Sequence, residues 1–383
     1  MGSVRCAIIR GGTSKGIFFH EKDLPQEQKE RERVILNVFG SPDKRQIDGL
    51  AGADVLTSKV AIIGISTRPD ADVEYTFGQV MIERPEISWH LNCGNLSAAV
   101  GPFAIDEGLV KAVEPLTVVR IHNTNLDQII DATVPVKNNK FNPIGDYKID
   151  GVPGTGSKIL LDYSKPAEGD TSKLLPTGQV KETLDVEGLG KIPVSIVGVG
   201  NLRVFAFAKD IGLEGTEEIK DIMANQRILE NAEKIRGIVA QRLGFVKDPR
   251  DASTLSPTRP LSAFVFPPMD YVNHVSGDTI RAEDIDLRSI AFLAGRVHQA
   301  YPVGGTISTG AAAKTRGTVV YEVLSERGRQ GASIRIGHPA GIIELRAKVV
   351  EKDNGFCLEE ASLFRTARRI MEGFVYLKEG FTI

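Results

Sequence analysis

Cys93 stands in a sequence context that suits proton transfer. It occurs in "LNCGNLSAAVG" (91–101), where Gly94 lets a ligand approach the backbone closely, and where Asn95 and the small residues after it predict the start of a helix. The free N–H groups and the dipole at a helix start favour anions. We therefore predict that Cys93 handles a proton beside a bound anion. The alternative is a thiol that only fills space in the core.

Lys59 is a second candidate for proton transfer. It lies in "GADVLTSKVAIIG" (52–64), at the step from a polar, glycine-containing turn into a strongly apolar strand. A lysine at such a step can extend its ammonium group to solvent, or it can be partly buried and act as a base in its neutral form. The residues around Lys59 leave both interpretations open.

Two glycine-containing stretches are candidates for binding carboxylates. "RGGTSKG" (10–16) lacks the spacing of a phosphate-binding loop, but the Ser14 hydroxyl and the Lys15 ammonium could hold a carboxylate; the alternative is a solvated hairpin turn. "STGAAA" (308–313) has the composition of a second helix start. Its backbone would offer an anion the same kind of N–H groups as the stretch after Cys93.

His338 is the only one of the six histidines in a turn flanked by glycine and proline, "RIGHPAG" (335–341), where a binding role and a structural role are both open. Together, these stretches provide the residues that we predict to bind substrate: Ser14, Lys15, Asn92, Gly94, Asn95, Thr309, Gly310, Ala311 and His338.

Composition and residue spacing exclude several classes of function. Lys and Arg total 47 against 49 Asp and Glu, so the net charge of −2 gives no electrostatic reason to expect a nucleic-acid or anionic-membrane partner. The histidines are dispersed without metal-site spacing, and we expect neither a metal nor another cofactor. The expected partner is a small molecule, and a homo-oligomer is compatible with the sequence.

The cysteines and the apolar runs indicate where the protein works. Cys6, Cys93 and Cys357 are widely spaced and odd in number, as expected for a protein of the reducing cytoplasm rather than a disulfide framework. Cys6 and Cys357 lie in or beside strand patterns, so we expect them in the core. No apolar run approaches the roughly 20 residues that a membrane span needs.

The sequence predicts a strand-rich α/β protein of two domains. Its 383 residues exceed the roughly 250 to 300 at which single cores tend to split. Short β-branched runs dominate, among them a predicted strand at 318–324, whereas helices are few and include predicted ones at 26–39, 217–243 and 284–299. Helices and strands do not alternate one for one, which argues against a plain doubly wound parallel sheet.

Two pairs of segments are similar to each other across the chain. "CAIIRGGTSKGIFFHEKDL" (6–24) aligns with "VSIVGVGNLRVFAFAKDIGL" (194–213), and "NCGNLSAAVG" aligns with "STGAAAKTRG", which places Cys93 opposite Thr309. The predicted domains are residues 1–185 and 186–383, and the last segment could pack back on the first domain.

Six motifs in order resemble the PrpF family, which includes methylaconitate cis-trans isomerase, 3-methylitaconate delta-isomerase and 4-oxalomesaconate tautomerase. They are "RGGTSKGIFF", "DGLAGADVLTSKVAII", "NCGNLSAAVGPFAIDEGLV", "DGVPGTGSKI", "STGAAAKTRGTVV" and "RIGHPAG". The likeness runs from about residue 5 to about residue 373 and is greatest to the methylitaconate delta-isomerases.

The resemblance implies a diaminopimelate-epimerase-like fold, an α+β arrangement of two similar domains, each a curled sheet around a central helix. It also implies that Lys59 and Cys93 are the catalytic pair, because in PrpF-like enzymes a lysine works with one cysteine. A two-thiol racemase is disfavoured, since Thr309 stands where the epimerases carry their second cysteine. The implied function is a cofactor-independent isomerase that moves a double bond in a small unsaturated di- or tricarboxylate, of the methylitaconate to dimethylmaleate type.

Other functions stay open on the sequence alone. Within the family, the alternatives are 2-methylaconitate cis-trans isomerase, aconitate isomerase and oxalomesaconate tautomerase. Outside it, the alternatives are a non-catalytic organic-acid binding protein and a scaffold protein.

Overall fold

Two structural units share the chain in this computed structural model, which describes residues 2–90, 92–165, 173–293, 295–352 and 355–380. Unit 1 comprises Met1–Lys165 and Phe364–Ile383, and unit 2 comprises Pro166–Leu363. The chain thus returns to unit 1 for its last strand. The limits predicted from the sequence, 1–185 and 186–383, differ from this division and stay a prediction about domains.

Unit 1 contains ten named strands and two helices among its described residues. They are β1 (Ser3–Gly11), β2 (Ser14–His20), α1 (Gln28–Phe39), β3 (Lys59–Ile65), β4 (Val73–Val80), β5 (Ile87–Ser88), α2 (Gly94–Asp106), β6 (Leu116–Asn123), β7 (Gln128–Lys137), β8 (Lys140–Phe141), β9 (Ile159–Asp162) and β21 (Ala367–Tyr376).

Unit 2 contains the elements between β9 and β21, and only the end of β20 passes into unit 1. They are β10 (Glu182–Val186), β11 (Gly190–Val197), β12 (Arg203–Phe207), α3 (Ile219–Ala224), α4 (Gln226–Arg242), α5 (Ala252–Leu255), β13 (Leu261–Phe266), β14 (Tyr271–Val272), β15 (Thr279–Ile280), β16 (Leu287–Leu293), β17 (Arg296–Val297), α6 (Val303–Lys314), α7 (Val319–Val323), α8 (Glu326–Gln330), β18 (Ser333–His338), β19 (Gly341–Lys352) and β20 (Gly355–Arg365).

The order of strand pairing repeats between the units. In unit 1, β1 and β2 are antiparallel, β2 and β3 parallel, β3 and β4 antiparallel, β4 and β6 parallel, and β6 and β7 antiparallel. In unit 2, the strands β11, β12, β13, β16, β18 and β19 follow the same order with the same directions. The similarity of segments 6–24 and 194–213 therefore reflects matching hairpins.

Each unit surrounds one helix with its strands. α2 is buried from Gly94 to Ile105, and α6 is buried at almost every position from Val303 to Ala313. A helix that is apolar on all sides needs partners on all sides. Small residues let strands come close: a Cβ at Gly101 would lie 2.7 Å from Val134 Cγ2. The prediction of a central helix in each half is confirmed.

Two segments differ from their predicted secondary structure. Residues 284–299, predicted as a helix, contain β16 and β17, and residues 318–324, predicted as a strand, contain α7. β16 is buried at six of its seven positions, so it carries no polar face that would reveal its period. In α7, the Thr318 side chain accepts a hydrogen bond from the Tyr321 N–H, and this cap outweighs the β-branched residues that follow.

Candidate active site

Alternation along β2 separates Ser14 from Lys15. The ring of Phe18 lies 5.6 Å from that of Phe103 in α2, whereas Ile17 belongs to the cluster that packs against α1. Because successive side chains of a strand point to opposite faces, Ser14 faces α2 and Lys15 faces away from it.

The same alternation places Lys59 on the α2 side of the sheet. Val60 and Ile62 of β3 pack in the α1 cluster, so Lys59 points to the other face. Lys59 is the first residue of β3 and pairs with Gln79 of β4. The sheet thus directs Lys59 and Ser14, from two neighbouring strands, toward the same helix.

Cys93 is the N-cap residue of α2. Its Sγ lies 3.7 Å from Ser14 Oγ, the thiol is half-buried, and its carbonyl accepts the first helical bond, from Ser97 N at 2.9 Å. No side chain caps this helix, whereas Glu27 caps α1 and Asn225 caps α4. The first N–H groups of α2 therefore have no intrahelical acceptor and can bind an anion beside the thiol.

The amine of Lys59 is held by a neutral partner. Its Nζ lies 2.7 Å from Gln79 Oε1 and 5.3 Å from the centre of the Phe77 ring, and only 6 % of the residue is exposed. The Gln79 amide is fixed in turn, because its Nε2 donates to Ser58 O at 2.8 Å and to Val55 O at 3.2 Å. The amine of Lys59 therefore has the neutral Gln79 amide, rather than a carboxylate, as its hydrogen-bond partner.

Asn92, Gly94 and Asn95 flank the thiol, but they are engaged differently. Asn95 Oδ1 accepts from Thr13 N at 3.4 Å and from Arg365 Nε at 3.2 Å, so it fastens the β1–β2 turn to the helix. Asn92 Oδ1 accepts from Ser97 Oγ at 3.4 Å. Gly94 supplies the first helical N–H. Of these three, Gly94 has the most direct means of binding an anion.

The Lys15 ammonium lies near a different loop. A Cβ at Gly52 would lie 3.3 Å from Lys15 Nζ, and Lys15 N donates to Leu56 O at 2.9 Å. The structure therefore brings Ser14 to Cys93 and places Lys15 beside residues 52–56. A carboxylate-binding role for Lys15 stays a prediction.

The helix start predicted at 308–313 is wrong. α6 begins at Val303 after the N-cap residue Pro302, and Thr309, Gly310 and Ala311 lie in its middle. The Thr309 hydroxyl donates to Gly305 O at 2.7 Å and lies 2.9 Å from the Tyr301 hydroxyl. The N–H groups of these three residues are inside the helix, so the physical basis of their predicted binding role is lost. The correspondence of Cys93 with Thr309 is likewise wrong, since Pro302 holds the matching N-cap position.

His338 ends β18 and is buried. Its Nδ1 accepts from Ala340 N at 3.2 Å, and its ring stacks on that of Tyr301 with the ring centres 6.1 Å apart. The histidine thus shapes the turn after β18, and its predicted binding role stays a prediction.

The other two cysteines differ from each other. Cys6 is buried as expected, and burial raises the pKa of its thiol to about 11, so it is poorly reactive. Cys357 is exposed, and the prediction that it lies in the core is wrong. It sits near the start of β20, a strand whose side chains alternate between half-buried and exposed there.

Two residues of the site escaped the sequence analysis. Gln79 holds Lys59; the alternation along β4 indicates only that Gln79 shares a face with Tyr75 and Phe77, not that it lies opposite Lys59. Arg365 reaches Asn95 from 270 positions away, and no local pattern signals such a contact.

Comparisons with known proteins identify the family. A family model described as PrpF protein matches residues 1–378. The chain belongs to the PrpF family. It is 50 % identical to 3-methylitaconate isomerase of Eubacterium barkeri, over 98 % of this chain and 97 % of the relative. It is 37 % identical to 2-methyl-aconitate isomerase of Shewanella oneidensis, over 97 % of this chain and 96 % of the relative. The predicted enzyme class, an isomerase, is confirmed.

Solved structures give the fold. The crystal structure of methylitaconate-delta-isomerase matches with a TM-score of 0.83 at 49 % identity, over 98 % of this chain and 96 % of that one. A hydroxyproline epimerase from Agrobacterium vitis matches with a TM-score of 0.56 at 13 % identity, over 99 % and 94 %, and so shares the fold alone. The predicted diaminopimelate-epimerase-like fold of this PrpF member is confirmed.

Two further observations concern the described residues. Nowhere among them do three or more His, Cys, Asp or Glu side chains gather as a metal ion would require. Their helices are all too short or too polar to cross a membrane.

Proposed function

We propose that this PrpF-family isomerase moves a carbon–carbon double bond in a small unsaturated dicarboxylate of the methylitaconate type. The observation that carries the proposal is the start of α2, where Cys93 and an uncapped helix end coincide and Lys59 faces the same helix with a neutral partner. The 50 % identity to a 3-methylitaconate isomerase supports this substrate class.

The chemistry needs one proton removed and one returned. A base takes the proton from the carbon that carries a carboxylate and adjoins the double bond. The electron pair of that C–H bond forms the new double bond, and the electrons of the old double bond take a proton at the terminal methylene, which becomes a methyl group. Lys59 and Cys93 are the two proton-transfer groups, one as base and the other as acid.

The protein stabilises the charge that develops between these steps. The intermediate is allylic, and its extra negative charge spreads onto the adjacent carboxylate. Free N–H groups at the start of α2, with Gly94 the first, would stabilise this charge, and fixed dipoles of this kind are often the largest catalytic contribution. Ser14 Oγ, next to the thiol, can donate to the same carboxylate.

The substrate is tested by offering methylitaconate, aconitate, methylaconitate and oxalomesaconate separately in deuterated water and following them by proton NMR. We expect methylitaconate to turn over fastest, with deuterium entering the new methyl group. Faster turnover of another acid would move the assignment to a different member of the family. The absence of turnover and exchange with all four would refute the proposal in favour of a binding protein.

A further inference from the structure

Arg365 is a buried cation at the start of α2. It is the last residue of β20, only 5 % of it is exposed, and its Nε donates to Asn95 Oδ1 at 3.2 Å. A second bond runs from Nη1 to Phe364 O at 2.9 Å. Asn95 is the second residue of α2 and lies two positions after Cys93.

The charge of Arg365 is not neutralised within the part of unit 1 that the structure describes. The two hydrogen bonds end on neutral oxygens, and no carboxylate there forms an ion pair with the guanidinium. Burial lowers the pKa of Arg365 to about 10, an effect that the phenols of Tyr147 and Tyr163 partly offset. The group still carries its charge at neutral pH. A buried charge without a partner is costly, which calls for a compensating role.

Arg365 and Cys93 are within electrostatic range of a common neighbour. Burial raises the pKa of Tyr163 well above its usual value; a Cys93 thiolate raises it further and Arg365 lowers it. Arg365 also donates to Asn95, which lies two positions after Cys93, so the arginine and the thiol belong to the same helix start. By contrast, Arg5 and Arg369 of the same unit each form an ion pair with Glu107.

We propose that Arg365 is a positioning residue. It holds Asn95 at the start of α2, and its uncompensated charge makes this helix start selective for anions. A substrate carboxylate or the developing allylic charge would supply the missing counter-charge. The inference rests on the proposed function for the identity of that anion, and it adds a residue outside the six motifs that carry the family resemblance.

Alkylation of Cys93 tests this charge without any turnover. Iodoacetate carries a negative charge and iodoacetamide does not. The rate with iodoacetate divided by the rate with iodoacetamide at one thiol therefore reports the local electrostatic potential. Arg365→Gln keeps a hydrogen-bond donor and removes the charge, whereas Arg365→Lys keeps the charge. We expect the ratio at Cys93 to fall about threefold to tenfold in Arg365→Gln and to stay within about twofold of wild type in Arg365→Lys.

Cys357 provides an internal control, because it is exposed and its ratio should be the same in all three proteins. Peptide mapping separates the two thiols, and circular dichroism establishes folding. An unchanged ratio at Cys93 in folded Arg365→Gln, or an equal fall in Arg365→Lys, would overturn the proposal. A structural role would instead change both reagents' rates alike.

Asn95→Asp provides a second variant if Arg365→Gln does not fold. It keeps the shape of the side chain and gives Arg365 an ion-pair partner, so the ratio should fall here as well; a ratio equal to wild type would count against the proposal. A wild-type protein that isomerises none of the acids would refute the proposed function, whereas the alkylation result would still decide the role of Arg365.

Discussion

The starts of the two central helices hold matching places in the repeated topology but carry different chemistry. α2 begins after Cys93 and α6 begins after Pro302, and neither is capped by a side chain. The strand that opens with Lys59 in unit 1 corresponds to the strand that opens with Leu261 in unit 2. Both groups that could move a proton are therefore present in unit 1 and replaced in unit 2.

Large and small residues change places between each helix start and the strand beneath it. In unit 1, a Cβ at Gly16 would lie 2.8 Å from Leu96, the third residue of α2. In unit 2, a Cβ at Gly305, the third residue of α6, would lie 2.9 Å from Arg203 Nη2. The cation Arg203 thus lies beneath the start of α6, whereas the uncharged Leu96 makes the matching contact at the start of α2.

The largest expected effect is that of Lys59→Met. Methionine keeps much of the side-chain volume and removes the amine, so we expect turnover to fall by about 10² to 10⁴ while the fold survives. Steady-state kinetics with the best substrate measures it. Lys209→Met is the matched control, because Lys209 Nζ also lies over a phenylalanine ring, at 5.5 Å, but is in unit 2 and exposed. Equal losses of turnover in the two variants would show that the loss is not specific to Lys59 of unit 1.

Gln79→Glu tests whether Lys59 needs a neutral hydrogen-bond partner. A carboxylate at this position would hold Lys59 as half of an ion pair, and we expect kcat to fall by about tenfold or more. Gln79→Met, which removes the hydrogen bond without adding a charge, should be less damaging. The account of Lys59 is wrong if the glutamate variant matches wild type in kcat.

Thr309→Val tests the helix position that the sequence alignment matched to Cys93. The hydroxyl bonds to Gly305 O and to the Tyr301 hydroxyl, so we expect the free energy of unfolding to fall by about 1 to 2 kcal/mol and kcat to change by less than about threefold. Urea unfolding and kinetics provide the two readouts. A large loss of activity in a stably folded variant would support the substrate-binding role that the sequence predicted for Thr309.

The smallest expected effect is a gain in stability. The guanidinium of Arg203 is fully buried, and its Nη1 donates to Ser262 O at 2.8 Å. Its Nε and Nη2 find no hydrogen-bond partner among the residues that the structure describes. Replacing such a group with an apolar one often stabilises a protein, so Arg203→Met should raise the free energy of unfolding by about 1 kcal/mol. A clear loss of stability in urea would mean that the buried charge is compensated.

The sequence predicted the helix start of unit 1 correctly and that of unit 2 wrongly, for a physical reason. Cys93 lies at the helix boundary itself, so the glycine and small residues after it are also the first helical turn. In unit 2 the boundary is Pro302, and the small residues at 308–313 are small because α6 is packed on all sides. Gly310 is an example, since a Cβ there would lie 2.4 Å from Leu345 Cδ1. Composition alone does not separate these two uses of small residues.

Contacts between distant parts of the chain were beyond prediction from spacing. The pairing of Lys59 with Gln79 depends on the register of β3 and β4, and the bond from Arg365 to Asn95 depends on the return of the chain to unit 1. Register and return are set by the packing of whole strands around α2, which no short motif encodes.

The most direct test of the central claim is the rate at which solvent deuterium enters the substrate in Cys93→Ser, followed by proton NMR with the best substrate. Serine changes little in volume but is a far weaker acid than a thiol, so a proton-transfer role predicts a fall of about 10² to 10⁴ in this rate, with the fold intact. Isomerisation by Cys93→Ser at close to the wild-type rate would show that the thiol only fills space in the core and that Lys59 exchanges protons with another partner.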